Sequence, residues 1–545
     1  MATRIKKTKI ATHGIVFAKA GTGKTFTLIL GIAWMFRKHV WSKSTEQLGF
    51  EPKPSEAQSK IWSWLETEKP SNIVYCAFNT TIVKEFDNKW KWLCLLLQSI
   101  GVFFSFSTIN SLGHRLCTKQ YPLKGWGCVN RFRYRNMISK ILGKDYKELE
   151  RDKKIAPMLE AAGNMYNLVR QSLAHYENQD GTLSVDDDKF YELASKHEVE
   201  LDGQDEEILS LVNKLLNEGR NVTTEIDFID QIWLPIVNNL PMNKIDLMLV
   251  DEGQDLNPCQ QELVLRMGNR ILLVGDENQA IYGFAGADTD SIPNMFKKLE
   301  RTQRGCQKFP LNMTYRCGKK IVEKARTIVP DFEAHPNNID GQIIETNYGT
   351  MKKTIKDEEL VLCRINAPLV SLAFSLIKIG RKATIQGRNI GQGLISLITK
   401  IMGKETDVDT LLDRIEIYYQ KEAERMSKRR NFDENMLVTL QDKVECIRLF
   451  SENAFTLEDV KKRITEVFDL KNFDDKKPKG VWLSSIHKAK GLECHTVYIL
   501  NPELLPHPMA KQSWAKIQEK NLEYVAITRA INTLCYVRSE GELIE

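Results

Sequence analysis

HGIVFAKAGTGKTFTLILGIAWMF, residues His13 to Phe36, decides the fold. His13 to Phe17 is an apolar run of strand length, and Phe26 to Phe36 reads as the helix that follows it. Between them Gly21, Thr22 and Gly23 let the backbone wrap phosphate oxygens with N–H groups at a helix N-terminus. Lys24 is placed to reach β- and γ-phosphates, and the Thr25 hydroxyl to ligate magnesium. Ala20 and Phe26 flank these groups and complete the candidate nucleotide-binding set. The strict G-x-x-x-x-G-K-[ST] pattern fails only at its first position, Ala18, where a residue in ordinary φ/ψ space serves as well as glycine. A strand before and a helix after make a chance GTGKT a poor explanation.

Further strings follow in order: DEGQD (Asp251 to Asp255), VGDENQAIYGF (Val274 to Phe284), TYR (Thr314 to Arg316), HKAKGLE (His487 to Glu493) and YVAITRA (Tyr524 to Ala530). Asp251 ends an apolar run, where a second magnesium ligand beside Thr25 belongs. Glu252 is the candidate to orient and deprotonate the attacking water. Paired acids at a strand end are common on surfaces, but DEGQD joined to GDENQ is specific. Gln279 can hydrogen-bond the γ-phosphate or the water, and Gln254 is a second reporter. Arg316 and Arg529 are candidates to complete the site from a second domain, where a donated cation is worth about 10³–10⁵ in rate. Taken singly, either arginine would read as a surface ion pair.

A chain of 545 residues exceeds one hydrophobic core and predicts several domains. Its 42% apolar and 27% charged content is that of a globular protein. No apolar run reaches the roughly 18–20 residues that span a membrane, and MATRIKKTKIATHG has no apolar stretch behind its basic residues. No membrane partner or secretion is expected. Eleven cysteines without a C-x-x-C pair suit a reducing compartment and argue against a zinc or disulfide framework. The expected location is the cytoplasm, or the nucleus in a eukaryote.

A net charge of +6 does not by itself announce nucleic acid, but its distribution says more. Arg115, Lys119, Lys124, Arg131, Arg133, Arg135, Lys140, Lys144 and Lys147 alternate with Tyr121, Trp126, Phe132 and Tyr134. Cations interleaved with rings fit a nucleic-acid face, and equally a solvated helical surface over buried aromatics. The acidic stretch at Asp186, Asp187 and Asp188 reads as an exposed edge.

Ile73 to Phe78, Val102 to Phe106, Ile245 to Val250 and Arg270 to Val274 are further strand-length runs, each ending at a motif. A parallel sheet gathers its ligand loops in this way. A second strand set is expected at Lys308 to Met313, Leu360 to Cys363, Lys382 to Ile385, Gly480 to Ser484, Thr496 to Leu500 and Thr533 to Val537. Lys24 and Asp251 should share one magnesium ion although they lie far apart, so a large piece is inserted between strands of the first sheet. Residues 395–475 read as helical and highly charged. The expected fold class is α/β: two parallel-sheet P-loop domains, each interrupted by a mainly helical insertion. The boundaries are 1–110 with 236–305, insertion 111–235, then 306–394 with 476–545, insertion 395–475.

Together these strings resemble the superfamily 1 helicases of the UvrD/Rep type, with details nearest the F-box DNA helicase branch, although no F-box is seen. The match is dispersed from Ala18 to Ala530 and its motifs are highly specific. The resemblance implies RecA-like motor domains, ATP and Mg²⁺ as cofactors, and single-stranded DNA and single/double-strand junctions as partners. It implies that Tyr315 stacks on adenine and that Glu493 contacts the nucleotide. Phe78 and Asn79 in CAFNTT, and Thr108, Asn110 and Ser111 in STINSLG, match motifs that grip the strand. Tyr282 and Phe284 match base-stacking aromatics, and His487 a residue near the DNA path. Departures from the pattern are Asn110 in place of His, Ala285 in place of Arg, and Phe26 where many relatives have Arg. No glutamine precedes the phosphate loop; a similar string, PSEAQSKIW with Gln58, follows it.

The function expected from this likeness is an ATP-dependent DNA helicase or translocase moving 3′ to 5′, with DNA-stimulated ATPase activity. Polarity rests on the likeness alone, through Lys490 and Leu492 in HKAKGLE. A translocase that strips bound proteins and unwinds poorly, or a non-hydrolysing DNA-binding scaffold, remain as alternatives. Replication, repair or recombination proteins are the expected partners.

Overall fold

The computed structural model describes residues 13–538 apart from 78–79, 153–154, 198, 200, 202, 222–223, 282–289, 304, 387, 404, 428–433, 469–479, 509 and 511–512. The chain divides into two compact units. One runs to Leu311; the other comprises Asn312 onward together with Ala20–Thr22.

In the first unit β1 (His13–Ala18), β2 (Asn72–Cys76) and β3 (Phe103–Ser107) come first. A small antiparallel hairpin, β4 (His175–Glu177) and β5 (Leu183–Val185), lies within the helical region. Then β6 (Ile245–Val250), β7 (Gly268–Gly275) and β8 (Cys306–Leu311) complete a parallel sheet of order β3-β2-β6-β7-β1-β8. β1, β6 and β7 are buried along almost their whole length, because strands covered on both faces need continuous apolar runs. Their carboxyl ends carry the glycine turn, Asp251 and Asp276.

β8 corrects the expected organisation. Lys308 to Met313 was assigned to the second sheet, yet Cys306–Leu311 pairs in parallel with β1 from His13 to Ala18. Only Phe309 and Leu311 of β8 are buried, and Pro310 lacks the N–H that a central strand needs. Both features belong to an edge strand, whose sheet cannot be read from its own pattern. The first unit therefore extends to Leu311 and does not stop at 305.

α1 (Lys24–Met35) and α2 (Arg37–Leu48) meet at Phe36, and α3 (Glu56–Leu65) packs back on α1. α4 (Thr80–Gln98) joins β2 to β3, and α5 (Ile109–Gln120) follows β3. Between α5 and β6 come α6 (Arg133–Leu142), α7 (Tyr146–Arg151), α8 (Ile155–Ser172), α9 (Asp187–Lys196), α10 (Asp205–Arg220) and α11 (Asp230–Val237). The acidic stretch starts α9: Asp186 caps it by accepting from the Lys189 N–H, and Asp187 and Asp188 fill its first turn.

A buried ionic cluster ties these helices together. Arg170 on α8 holds Asp227 at 2.7 Å and Asp230 at 2.6 Å, and Arg133 on α6 holds the other Asp230 oxygen at 2.6 Å. Arg133 also donates to the Gly219 and Asn221 carbonyls. Its side chain is 5% exposed, so it is removed from the candidate nucleic-acid face. Buried guanidinium groups persist where paired carboxylates satisfy them.

The second unit carries a six-stranded sheet. A two-strand pairing, β9 (Met313–Thr314) with β10 (Glu333–Ala334), precedes β11 (Gln342–Asn347), β12 (Leu360–Cys363), β13 (Ala383–Gln386), β14 (Val481–Ser485), β15 (Cys494–Leu500) and β16 (Ala530–Arg538). Their order is β11-β16-β15-β12-β14-β13, again all parallel. Between β13 and β14 lie helices Arg388–Met402, Val408–Ser427, Glu434–Ser451 and Leu457–Val467. Among the described residues, no helix is long and apolar enough to cross a membrane.

Candidate nucleotide site and strand-gripping motif

Gly23 caps α1 in the left-handed region at φ 73°, and Gly21 turns at φ 67°. These conformations suit glycine and set the first N–H groups of α1 at the loop's mouth. Lys24 and Thr25 open the helix and face the ends of β6 and β2. Lys24 Nζ lies 3.3 Å and 3.4 Å from the two Glu252 carboxylate oxygens. The Thr25 hydroxyl donates to Asp251 Oδ2 at 3.2 Å.

Glu252 occupies the left-handed region at φ 54°, uncommon for a residue with a side chain. Its N–H donates to Asp251 Oδ1 at 2.9 Å, and its carboxylate accepts from Gln254 Nε2 at 2.5 Å. Gln254 in turn accepts from the Asp276 N–H at 3.0 Å, while Gln279 Nε2 donates to Asp276 Oδ2 at 2.7 Å. One network thus joins DEGQD to GDENQ.

Burial opposes the charge on Lys24, but Glu252, Asp251 and Asp276 together outweigh it and hold its pKa above the ordinary value. Burial, then the Glu252 charge, pushes Asp251 above the usual carboxylate range, against Lys24 and Tyr75. A cation added between Thr25 and Asp251 would reverse that shift. Magnesium takes hard oxygen ligands and keeps several waters, so a hydroxyl beside one carboxylate fits it. Among the described residues, no three carboxylates, histidines or cysteines gather into a full cage for a metal.

Tyr75, near the end of β2, was not singled out in the sequence. Its buried hydroxyl donates to Asp251 Oδ2 at 2.6 Å. Burial, reinforced by Asp251, raises its pKa well above 10 and keeps it a donor. No motif marks it; the only signal is that β2 borders β6 in register, Cys76 beside Val250. Tyr75→Phe should weaken the apparent Mg²⁺ affinity of ATP turnover about tenfold, with the rate at saturating Mg²⁺ changed less. A magnesium titration identical to wild type would reduce Tyr75 to packing.

Gln58 stands at the third residue of α3. Its Oε1 accepts from the Ser55 N–H in a capping box, and its Nε2 donates to Thr27 Oγ1 at 2.8 Å. Trp62 Nε1 also donates to the Thr27 carbonyl. PSEAQSKIW therefore fastens α3 to the phosphate-loop helix. Phe26 stacks on Phe50 with ring centres 6.3 Å apart and planes 14° apart, both rings partly exposed.

The second unit holds its own expected residues. Arg316 pairs with Glu493 at 2.6 Å, and Tyr315, 44% exposed, lies against His335. Within this unit the Tyr315 N–H donates to the Gly21 carbonyl at 2.9 Å, and the Ala20 N–H to the Tyr524 hydroxyl at 3.0 Å. Arg529 is buried, and its guanidinium donates to the carbonyls of Val525 and Leu492.

Of the strand-gripping candidates, Phe78, Asn79, Tyr282 and Phe284 lie outside the described residues, as does Ala285. Thr108 caps α5, accepting from the Ser111 N–H at 3.0 Å. Asn110 donates to the Phe228 carbonyl at 2.9 Å and to Gln231 Oε1 at 3.2 Å. Desolvation, with the Arg364 and Lys488 charges, pulls His487 down to about 3.

Parallel sheets with a phosphate loop wired to paired acids define an α/β P-loop protein. Residues 2–300 match the model of the UvrD/REP helicase N-terminal domain, and residues 187–540 that of the UvrD-like helicase C-terminal domain. The chain belongs to the UvrD/REP helicase family. It is 26% identical over 317 residues to F-box DNA helicase protein 1 of Schizosaccharomyces pombe, covering 53% of this chain and 33% of that protein. It is 24% identical over 345 residues to a probable DNA helicase II homolog of Mycoplasma genitalium, covering 60% and 42%. It is 31% identical over 163 residues to the ATP-dependent DNA helicase Rep of Salmonella typhimurium, covering 27% and 23%. The chain thus spans less than half the length of each of these relatives.

Proposed function

We propose that this chain is an ATP-driven motor that moves 3′ to 5′ on single-stranded DNA and unwinds duplex ahead of it. The observation that carries the reading is the Lys24–Glu252 and Thr25–Asp251 pairing at the end of a parallel sheet. Lys24 binds the β- and γ-phosphates. Thr25 and Asp251 would hold Mg²⁺, which would supply neutralising charge for the phosphate oxygens. Glu252 takes the proton of the attacking water as its oxygen reaches the γ-phosphorus and the bond to the β-phosphate oxygen breaks. Gln279 and Gln254, wired to Asp276, report the γ-phosphate. Tyr315 stacks on the adenine, with Glu493 on the same nucleotide. Arg316 is the leading cation from the second unit, since its side chain is 23% exposed and Arg529 is used by backbone carbonyls. Thr108, Asn110 and Ser111, with Phe78, Asn79, Tyr282, Phe284 and His487, hold the strand.

The test is ATPase activity of the purified chain without nucleic acid and with single-stranded DNA, duplex DNA or RNA, followed by duplexes carrying a 3′ or a 5′ tail. Single-stranded DNA should stimulate turnover most, only the 3′-tailed duplex should be opened, and DNA affinity should fall steeply with salt. Opening from the 5′ tail alone would overturn the polarity, and turnover indifferent to DNA would overturn the motor.

A further inference from the structure

α5 leaves a cavity against one face of the first sheet. Asn72 lies beside Phe103 and Val74 beside Ser105 in the β2–β3 register, so these four side chains share that face. α5 lies over them with Leu112, Arg115, Leu116 and Lys119 turned inward at helical spacing. The space between the two layers is about 410 Å³. Such a size, an apolar floor and a few placed polar groups make a ligand pocket. The floor is Val74, Leu112, Leu116, Ile245 and Met267. Phe103 stands at one side, 58% exposed, on the outermost strand of the sheet. β2 also leads away from the cavity to the nucleotide site, where Tyr75 reaches Asp251.

The charge here is of one sign. Arg115 and Lys119, the first cations of the basic stretch, line the cavity, and no aspartate or glutamate does so among the described residues. Arg115 donates to Ser107 Oγ at 2.9 Å, and Lys119 has no ion pair among the described residues. Asp246, next to Ile245, has its Oδ2 taken by the Ser71 N–H at 2.9 Å, the Ser71 hydroxyl at 2.7 Å and the Asn72 N–H at 3.1 Å. One polar atom is left over: the Asn72 side-chain oxygen is buried without a hydrogen-bond partner among the described residues. A buried acceptor of that kind asks for a donor from whatever fills the space. The occupant thus needs an apolar body, negative charge and an N–H. A peptide segment with acidic residues beside a large apolar side chain supplies all three. A nucleobase would leave its edge donors and acceptors unpaired on the aliphatic floor, and a simple organic acid lacks the N–H.

We propose that this cavity docks an acidic segment of a partner protein. One large apolar side chain of the segment fills the floor, its carboxylates meet Arg115 and Lys119, and a backbone N–H donates to Asn72. The site stands independently of the motor reading, since none of its residues is placed at the nucleotide or in the strand-holding motifs.

The test begins with displayed random heptapeptides selected on the full chain. Peptides combining aspartate or glutamate with leucine, phenylalanine or tryptophan should be enriched, and the leading one is then synthesised with a fluorescent label. Lys119→Glu and the cavity-filling Ser105→Trp should each weaken its binding at least about tenfold, with weaker binding at high salt. Lys144→Glu, an exposed cation elsewhere in the basic stretch, should leave it unchanged. In wild type, the same peptide with a photoreactive benzophenone in place of its apolar side chain should crosslink within residues 103–120, a readout that needs no variant to fold. Basic or uncharged peptides winning the selection, no enrichment at all, or crosslinks confined to other regions would overturn the proposal. So would peptide binding indifferent to both Lys119→Glu and Ser105→Trp, or a labelled single strand of DNA that displaces the peptide and loses affinity in the same two variants.

Discussion

Lys24→Ala is expected to cut ATP turnover at saturating single-stranded DNA by at least about a hundredfold, while nucleotide-free DNA binding changes little. The physical reason lies in how the ammonium is held. Three carboxylates outweigh its burial, so the group is charged throughout the working pH range and sits as a point charge where the phosphates arrive. Alanine removes that charge and leaves Asp251 and Glu252 adjacent without their shared cation. Asp251, already raised by burial and by Glu252, then loses the largest of the influences that lower it. Nucleotide and Mg²⁺ binding should both weaken. DNA binding should not, because the residues proposed to hold the strand are fixed by other contacts, such as Thr108 to Ser111 and Asn110 to Phe228. Steady-state turnover and fluorescence anisotropy with a labelled single strand check the two halves. Turnover within severalfold of wild type would remove Lys24 from the phosphate site.

How far such a site can be read from sequence depends on what each residue answers to. Lys24, Thr25, Asp251 and Glu252 could be grouped from the sequence because phosphate chemistry asks for these residue types beside strand ends, and the structure brings their side chains together. The buried strands were legible because cover on both faces demands apolar runs. β8 was misplaced and β11 was not anticipated for a common reason. Edge strands have half the burial: β11 shows only Ile343 and Ile344 side by side, both exposed, so nothing in its pattern asks for a sheet. Tyr75 was missed because its function comes from the register of neighbouring strands. Arg133 was misread because a cation among aromatics looks alike whether it faces solvent or Asp230. Gln58 shows the converse, a motif-like glutamine whose amide is used to hold two helices together.

Glu252→Gln separates binding from chemistry more sharply than any other change at this site. The substitution is isosteric and keeps an amide oxygen for Lys24, so the loop stays in place. The left-handed backbone at φ 54° is as available to glutamine as to glutamate, and the N–H to Asp251 survives. What disappears is the base and one negative charge. Burial and then the Glu252 charge are the largest influences raising Asp251, so that carboxylate should ionise more readily in the variant. Mg²⁺ and ATP should therefore bind at least as tightly as in wild type. Hydrolysis should slow by about 10²–10⁴, the range for losing a positioned general base. Single-turnover hydrolysis of labelled ATP beside equilibrium ATP binding distinguishes the outcomes. Slow cleavage with retained affinity is the expected result. Near-normal cleavage would take the base role from Glu252, and weakened ATP binding would mean that its carboxylate chiefly positions Lys24.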